Sequence, residues 1–151
     1  QAKSLWQLRE GISESLASYT PYKNDLSVRI SEVPEFLADV DSYVSESYPE
    51  FEVCWYGHIG DGNLHLNILR PQDMPVEEFF SHGHSMSPKI FEIVAARRGS
   101  ISAEHGVGLL KRDFLGYTRS EDEIKLMQGL KALFDPHQIL NPNKLLTTNA
   151  N

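Results

Sequence analysis

The sequence is poor in cysteine, in positive charge and in long apolar runs. Its 151 residues include one cysteine, Cys54, which excludes an internal disulfide framework and suits a reducing compartment. No apolar run approaches the roughly 20 residues that a membrane-spanning helix needs. With 14 Lys and Arg against 21 Asp and Glu, the net charge is −7, which argues against a general nucleic-acid-binding protein.

Two sequence signals are also missing. The glycines do not fit the Gly-x-Gly-x-x-Gly spacing that opens a dinucleotide-binding helix. The chain starts at Gln1, with neither an initiator Met nor a targeting pattern. Its length suits one compact domain over residues 1–151, and its start is compatible with a piece of a longer protein.

A β-hairpin is predicted over residues 51–70, with its turn at Asp61-Gly62. This dipeptide tolerates the positive φ angles of a two-residue turn. In that register His58 stands directly opposite His65, with Cβ atoms roughly 4.5–5.5 Å apart. Two imidazoles at this separation can share one metal ion.

The alternation of residue types gives this hairpin two different faces. The apolar face is predicted to hold Val53, Trp55, Ile59, Leu64, Leu66 and Ile68. The polar face is predicted to hold Tyr56, His58, His65 and Asn67. A histidine in a strand is more often a satisfied polar residue than a ligand, so on the residues alone both roles stay open.

Periodicity predicts further elements on both sides of the hairpin. The first is an amphipathic helix over residues 2–19, whose apolar stripe is Leu5, Leu8, Ile12 and Leu16. A turn at 23–25, a strand over 26–30 and a helix that starts at Ser31 follow. The longest helix is predicted over 75–98, with an interruption at His82-Gly83-His84, whose two histidines are interpreted as surface residues.

The last third of the chain is predicted to hold a short strand over 100–103 and one more helix. Ser120 and Glu123 have the spacing of a capping box at the start of that helix. Its buried side is predicted to be Ile124, Met127, Leu130, Leu133 and Phe134. Helices that alternate with a tight hairpin favour an α+β sandwich, with a largely antiparallel sheet and helices packed on one face.

Besides the histidine pair, two polar clusters are candidates for chemistry. One is Glu104-His105, followed by two glycines, and its carboxylate could complete a set of two His and one carboxylate around a metal. The alternative is an acidic residue at a helix N-terminus. The other cluster is cationic and consists of Arg9, Ser13 and Lys23, for which a solvated surface charge at Arg9 is the alternative.

Three stretches resemble the C-terminal domain of FAD-linked oxidases. They are Gly57-His58-Ile59-Gly60-Asp61-Gly62-Asn63-Leu64-His65, Ser102-Ala103-Glu104-His105-Gly106-Val107-Gly108 and the turn-rich segment 135–142. The family includes D-lactate dehydrogenases, the glycolate oxidase flavoprotein subunit and D-2-hydroxyglutarate dehydrogenase. The segments Leu5-Trp6-x-Leu8-Arg9-Glu10 and Tyr22-Lys23-x-Asp25 are most similar to the D-2-hydroxyglutarate dehydrogenase group.

The resemblance implies a ferredoxin-like sandwich with a central metal-binding hairpin, which covers a flavin held by a separate, absent N-terminal domain. By position, the implied ligands of a divalent metal, usually zinc, are His58, His65 and Glu104. His105 matches the base beside the flavin, and Asn67 matches a substrate contact. The residues implied to hold the distal carboxylate of a dicarboxylic 2-hydroxy acid are Arg9, Ser13 and Lys23.

The implied function is that of a fragment of an FAD-dependent D-2-hydroxy acid dehydrogenase, inactive alone, in which a metal assists oxidation of the hydroxyl and hydride passes to flavin. The substrate would be D-2-hydroxyglutarate, D-lactate or glycolate. Further implied partners are the FAD-binding domain of the same polypeptide, an electron-accepting protein or quinone, and a second copy in a homodimer. The compartment would be the cytoplasm of a bacterium or the mitochondrion of a eukaryote.

Two other classes of function stay open at this stage: a metal-dependent hydrolase and a non-catalytic interaction module. The sequence also departs from the family pattern at two positions. Arg29 stands where the family often has proline, and Asn143 stands where it often has glycine.

Overall fold

One antiparallel sheet of three strands forms the centre of the fold. The computed structural model describes residues 1–147, and the last four residues of the predicted domain 1–151 lie outside this part. The strands are β1 (Tyr22–Ser27), β2 (Glu52–His58) and β3 (Asn63–Leu69), with β3 in the middle. Both outer strands run antiparallel to β3, so they are parallel to each other and need the long crossover that connects them.

Five α-helices and two short 3-10 helices complete the part of the chain that is described. The α-helices are α1 (Ala2–Glu10), α2 (Ile12–Ala17), α3 (Val33–Ser47), α4 (Val76–Ala96) and α5 (Glu121–Phe134). The 3-10 helices span Ile30–Glu32 and Arg112–Tyr117. Within residues 1–147, no helix combines the length and the apolar character that crossing a bilayer requires.

The hydrophobic core lies between one face of the sheet and the helices α3 and α4. Alternate strand residues contribute Leu26, Leu64, Leu66 and Ile68 to it. The helices contribute Phe36, Val40 and Val44 from α3, and Phe79, Met86, Ile90, Phe91 and Val94 from α4. Full burial of such a side chain is worth about 1.5–3 kcal/mol, so this layer is the main source of stability. The predicted α+β class with an antiparallel sheet is confirmed.

The hairpin between β2 and β3 has a longer connection than the sequence predicted. His58 pairs with Asn63, and Tyr56, not His58, stands opposite His65. Four residues therefore connect the strands, and Ile59 lies among them with 65% of its surface exposed, not on the apolar face. The prediction of a two-residue turn and a direct His58–His65 pair was wrong.

Hydrogen bonds within the connection explain the longer loop. The N–H of Asp61 donates to the carbonyl of His58 at 3.3 Å, and Oδ1 of Asp61 accepts the N–H of Asn63 at 3.1 Å. Gly62 has φ +73°, and its Cα lies against the carbonyl of Val28, where a Cβ would clash. The hairpin is thus closed at His58 and docked on the residues that follow β1.

The predicted apolar faces of the first and last helices are not buried in the described part. The helix predicted over 2–19 breaks at Gly11, and Leu8 on α1 is 73% exposed. The predicted buried side of α5 is wrong for Leu130, Leu133 and Phe134, which are all exposed. The spacing of residues reveals an apolar stripe, but it does not reveal which element covers that stripe.

Three shorter predictions were also wrong. The predicted turn at 23–25 is part of β1, which ends near the start of the strand predicted over 26–30. Ser31 lies in a 3-10 helix, and α3 begins at Val33 without a side-chain cap. The strand predicted over 100–103 is reduced to one bridge between Ser100 and Ser27.

Helix α4 continues without interruption through Gly83. This glycine is buried against the ring of Tyr22, so it serves a close contact and does not break the helix. His82 and His84 flank it and lie against aromatic rings, and His84 is exposed. At α5, the predicted capping box of Ser120 and Glu123 is confirmed.

The backbone accommodates both departures from the family pattern. Arg29 has φ −58° and ψ 144°, within the range that proline fixes, so proline and arginine both fit there. Asn143 has φ +61°, in the left-handed region. After glycine, asparagine and aspartate are the residues that adopt this region most readily.

Replacing Gly83 by alanine should destabilise the protein, whereas the same replacement at Gly129 should stabilise it. A Cβ at position 83 would lie 2.5 Å from the ring of Tyr22, which packs on Phe80 and is hydrogen-bonded to Ser87 at 2.8 Å. Such overpacking costs about 1–3 kcal/mol, against a gain of about 1 kcal/mol from alanine in a helix. A Cβ built on Gly129 has no atom of another described part of the chain within 4 Å, so only the gain remains. Urea unfolding measures both changes, and a stabilised Gly83→Ala variant would contradict this contact.

Candidate metal and substrate site

The face of the sheet opposite the core carries polar side chains and forms the floor of a cleft. Across β1 and β3, Lys23 pairs with Asn67 and Asp25 pairs with His65, so these four side chains share that face. The cleft has a volume of about 640 Å³. Its walls come from α1, α2 and the segment 104–111.

All eight residues that the sequence analysis assigned to a site line this one cleft. They are Arg9, Ser13, Lys23, His58, His65, Asn67, Glu104 and His105. They belong to two helices, three strands and one loop, so it is the fold that brings them together.

Three of these residues bring metal-ligating atoms close together. One ligating atom each from His58, His65 and Glu104 lies within 4.8 Å of the other two. Nε2 of His58 is 3.4 Å from Oε1 of Glu104, and both side chains are almost half exposed to the cleft. Two imidazoles and one carboxylate are a common donor set of catalytic zinc sites. The residues present therefore fit a divalent cation.

The two histidines lie close together although they do not pair directly. Their ring centroids are 5.7 Å apart, and His58 stands diagonal to His65 across the two strands. Tyr56, which stands directly opposite His65, packs on it with ring centroids 4.9 Å apart. The observed pairing differs from the predicted one by two residues. Because this is an even number, all three side chains lie on the same face of the sheet.

Asp25 is a buried carboxylate beneath the site, and the sequence analysis placed it in a turn. It is 5% exposed, and its Oδ2 accepts the N–H groups of Glu104 at 2.7 Å and His105 at 3.2 Å. Its Oδ1 lies 3.1 Å from Nδ1 of His65. An acidic residue at an alternate position of the Tyr22–Ser27 strand was the available signal, which the turn assignment hid.

His105 is the most accessible of the three histidines in the cleft. Its side chain is 70% exposed, its ring centroid is 6.3 Å from that of His65, and its Nε2 is 3.9 Å from Oε2 of Glu104. Gly106 and Gly108 after it have φ +69° and +57°, and among the described residues no atom lies within 4 Å of a Cβ built on either. The loop thus leaves open space around this imidazole.

Cationic groups form the other end of the cleft. Nζ of Lys23 donates to Oγ of Ser13 at 3.5 Å. The guanidinium carbon of Arg9 lies 5.8 Å from the ring centroid of Tyr56, a cation–π distance that ties α1 to the sheet. An anionic group in this part of the cleft would meet two positive charges.

Asn67 lies at the floor of the cleft and is 1% exposed. Its Nδ2 donates to the carbonyl of His65 at 3.2 Å. Its buried Oδ1 accepts no hydrogen bond from any described residue. A buried amide oxygen without a donor is costly, so this atom is suited to accept a hydrogen bond from a ligand.

Lys111 is a partly buried cation beside Asp25 that the sequence analysis missed. Its Nζ donates to the carbonyl oxygens of Ile101 and, at 3.2 Å, Asp25, and it lies 5.8 Å from the ring centroid of Phe91. Burial lowers the pKa of Lys111 to about 8, and the nearby Asp25 carboxylate opposes that shift. No local pattern marked this lysine, because its partners are distant in the chain.

Comparison with known proteins finds relatives over almost the whole chain. The model of the family described as FAD linked oxidases, C-terminal domain, matches residues 1–145. The D-2-hydroxyglutarate dehydrogenase of Stutzerimonas stutzeri (strain A1501) is 54% identical over 145 residues, which cover 96% of this chain and 31% of that protein. That of Xanthomonas citri pv. viticola is 51% identical over 148 residues, which cover 98% of this chain and 31% of that protein.

A eukaryotic relative is similar over the same part. The mitochondrial D-2-hydroxyglutarate dehydrogenase of Bos taurus is 43% identical over 152 residues, which cover 98% of this chain and 26% of that protein. The chain thus spans less than a third of the length of these three curated relatives.

The burial of Lys111 should make stability depend on pH above neutrality. Its pKa is about 8 in the folded chain and 10.5 in the reference state, so between these values the unfolded chain binds a proton that the folded chain lacks. Stability contributed by Lys111 therefore rises with pH over this interval, by up to about 3 kcal/mol. Unfolding free energies of the wild type and Lys111→Met from pH 7 to 10.5 measure it. A difference between the two proteins that does not change with pH would contradict the shifted pKa.

Proposed function

Because this chain belongs to the family of FAD linked oxidases, C-terminal domain, we propose that it forms the substrate-binding and metal-binding part of an FAD-dependent D-2-hydroxy acid dehydrogenase. The observation that carries the proposal is the cluster of His58, His65 and Glu104 beside the exposed His105. The names of the relatives, D-2-hydroxyglutarate dehydrogenases, support the same class of reaction.

The proposed substrate has two carboxylates, as D-2-hydroxyglutarate does. One end of the cleft carries the donor set for a cation, and the other end carries Arg9, Ser13 and Lys23. Guanidinium and ammonium groups bind a carboxylate through charge-assisted hydrogen bonds, which are about twice as strong as neutral ones. A 2-hydroxy acid with one carboxylate, such as D-lactate or glycolate, would leave the cationic end without a partner.

A divalent cation, which we take to be zinc, would be held by His58, His65 and Glu104. When bound, such an ion supplies Lewis-acid polarisation of the hydroxyl and carboxylate oxygens of the substrate. Asn67, through its unpaired Oδ1, would accept a hydrogen bond from the substrate and fix its orientation.

His105 is the proposed general base and the proposed contact to the cofactor. Its imidazole is open to the cleft and close to the metal-ligand cluster, so a substrate hydroxyl held by that cluster can come within its reach. Removal of this proton prepares the carbon that carries the hydroxyl to lose a hydride. Flavin supplies the two-electron acceptor, and it would be bound by a part of the longer relatives that this chain does not span.

We also infer a ferredoxin-like sandwich with the metal-binding hairpin at its centre. The strand order β1-β3-β2 supports this arrangement. So does the bridge from Ser100 to Ser27, at the free edge of β1 where a fourth strand would lie. We propose the cytoplasm of a bacterium or the mitochondrion of a eukaryote as the compartment, and the name of the Bos taurus relative supports the second case.

A hybrid enzyme tests the proposed function directly. In the Stutzerimonas stutzeri relative, the matching 145 residues are replaced by this chain, and reduction of the bound flavin by D-2-hydroxyglutarate is followed by stopped flow. The hybrid should reduce its flavin, and His105→Asn should slow this step by about 10²–10⁴-fold while flavin content stays the same. His137→Asn, at an exposed histidine outside the cleft, is the matched control.

Two results would overturn this function. A loss of less than tenfold in His105→Asn would remove this residue as the base. A hybrid that binds flavin but is not reduced, together with ester hydrolysis by the zinc-loaded chain, would favour a metal-dependent hydrolase.

Arg9→Ala should discriminate between substrates in the same hybrid. Loss of a hydrogen bond to a charged group costs about 1.5–3 kcal/mol, so kcat/KM for D-2-hydroxyglutarate should fall by about 10–100-fold. The value for D-lactate should change little, because this substrate has no second carboxylate. Lys3→Ala removes one positive charge from the same helix outside the cleft and should affect neither substrate. Equal losses on both substrates would assign Arg9 a structural role.

A further inference from the structure

We propose that Asp25 is the positioning residue of the site, whose single carboxylate fixes both the tautomer of His65 and the backbone that carries Glu104 and His105. The consequence for metal binding rests on the proposed function, but the positioning itself does not. Asp25 contributes no atom to the set formed by His58, His65 and Glu104.

The two carboxylate oxygens of Asp25 make different contacts. Oδ2 accepts two backbone N–H groups, from Glu104 at 2.7 Å and from His105 at 3.2 Å. Neither N–H has another acceptor among the described residues. The side chain of His105 is largely exposed and that of Glu104 is almost half exposed, so these two bonds hold the main chain of this part of the loop against β1.

Oδ1 of Asp25 lies against His65. It is buried, accepts no hydrogen bond of regular geometry from any described residue and lies 3.1 Å from Nδ1 of the imidazole. If Nδ1 were deprotonated, two lone pairs would face each other at this distance, which is unfavourable in a buried site. The proton of neutral His65 therefore belongs on Nδ1, and Nε2 keeps the lone pair that a metal needs.

Lys111 contacts the main chain of Asp25. Its Nζ donates to the backbone carbonyl of Asp25, and the same ammonium donates to the carbonyl of Ile101 at the start of the segment that leads to Glu104. The strand and the loop are thus tied twice, once through the Asp25 side chain and once through its main chain.

Asp25 also belongs to a second set of residues whose atoms could bind a metal. Atoms of Asp25, Glu104 and His105 also lie within 4.8 Å of one another, so Asp25 could itself be a ligand. Its geometry argues against this role, because Oδ2 already accepts two N–H groups and Oδ1 faces His65. A ligand role and a positioning role predict different behaviour of His65 in the metal-free protein.

The replacement Asp25→Asn separates the two tasks. The two N–H groups need an oxygen at the Oδ2 position, so the amide oxygen must stay there. The amide NH₂ is then forced to face Nδ1 of His65, where it can only donate. His65 must respond by moving its proton to Nε2, which removes the lone pair available to a metal.

NMR of the metal-free chain with ¹⁵N-labelled histidine, at pH 8, measures this tautomer. The wild type should show His65 protonated at Nδ1, and Asp25→Asn should show it protonated at Nε2, with a melting curve that confirms the variant is folded. Asp61→Asn is the matched control, since Asp61 also accepts one backbone N–H, in the connection between β2 and β3, but does not contact His65. It should keep the wild-type tautomer.

Zinc titration of the same three proteins measures the effect of each replacement on metal affinity. Asp25→Asn should bind zinc about 10–100-fold more weakly than the wild type, and Asp61→Asn should bind it equally well. An unchanged His65 tautomer in Asp25→Asn overturns the proposal, even if zinc affinity falls, because Asp25 then does not determine which ring nitrogen of His65 carries the proton. A wild type that binds no zinc would contradict the metal part of the proposed function, and the tautomer measurement would still decide the role of Asp25.

Discussion

Strand alternation is the constraint on which the rest of this structure depends. Successive side chains of a strand point to opposite faces, so three strands suffice to separate a hydrocarbon core from a polar cleft. Leu64 and His65 illustrate the division, since the first is buried under the helices and the second lies in the site. A slip of one residue between two strands would exchange their faces. The pairing that stabilises the fold is therefore also the pairing that builds the site.

Features with a local cause could be predicted from the sequence. The two faces of the hairpin follow from a spacing of two residues, and the capping box of Ser120 and Glu123 follows from a spacing of three. Even the wrong turn left the polar face correct, because the observed pairing differs from the predicted one by an even number of residues. The eight site residues that share the cleft were assigned through family motifs, since local spacing alone left their roles open.

Features with a distant cause could not be predicted. Asp25 bonds to residues 79 and 80 positions later in the chain, and Lys111 reaches back to Asp25 over 86 positions. The apolar stripes of α1 and α5 were visible, but the sequence did not show whether another element of this chain covers them. In both cases the missing information was the three-dimensional arrangement, not the chemistry of the residue.

Helix α1 has no buried residue, although it carries Arg9. Elements with few buried contacts open locally at low free-energy cost, and the cation–π contact to Tyr56 is one of the few ties that hold this guanidinium over the sheet. A ligand that engages Arg9 must therefore also order the helix, and a ligand that does not reach it has no such entropy loss. Selectivity at this end of the cleft then depends on whether the new ion pair exceeds the lost conformational freedom, so it should vary with temperature as well as with charge.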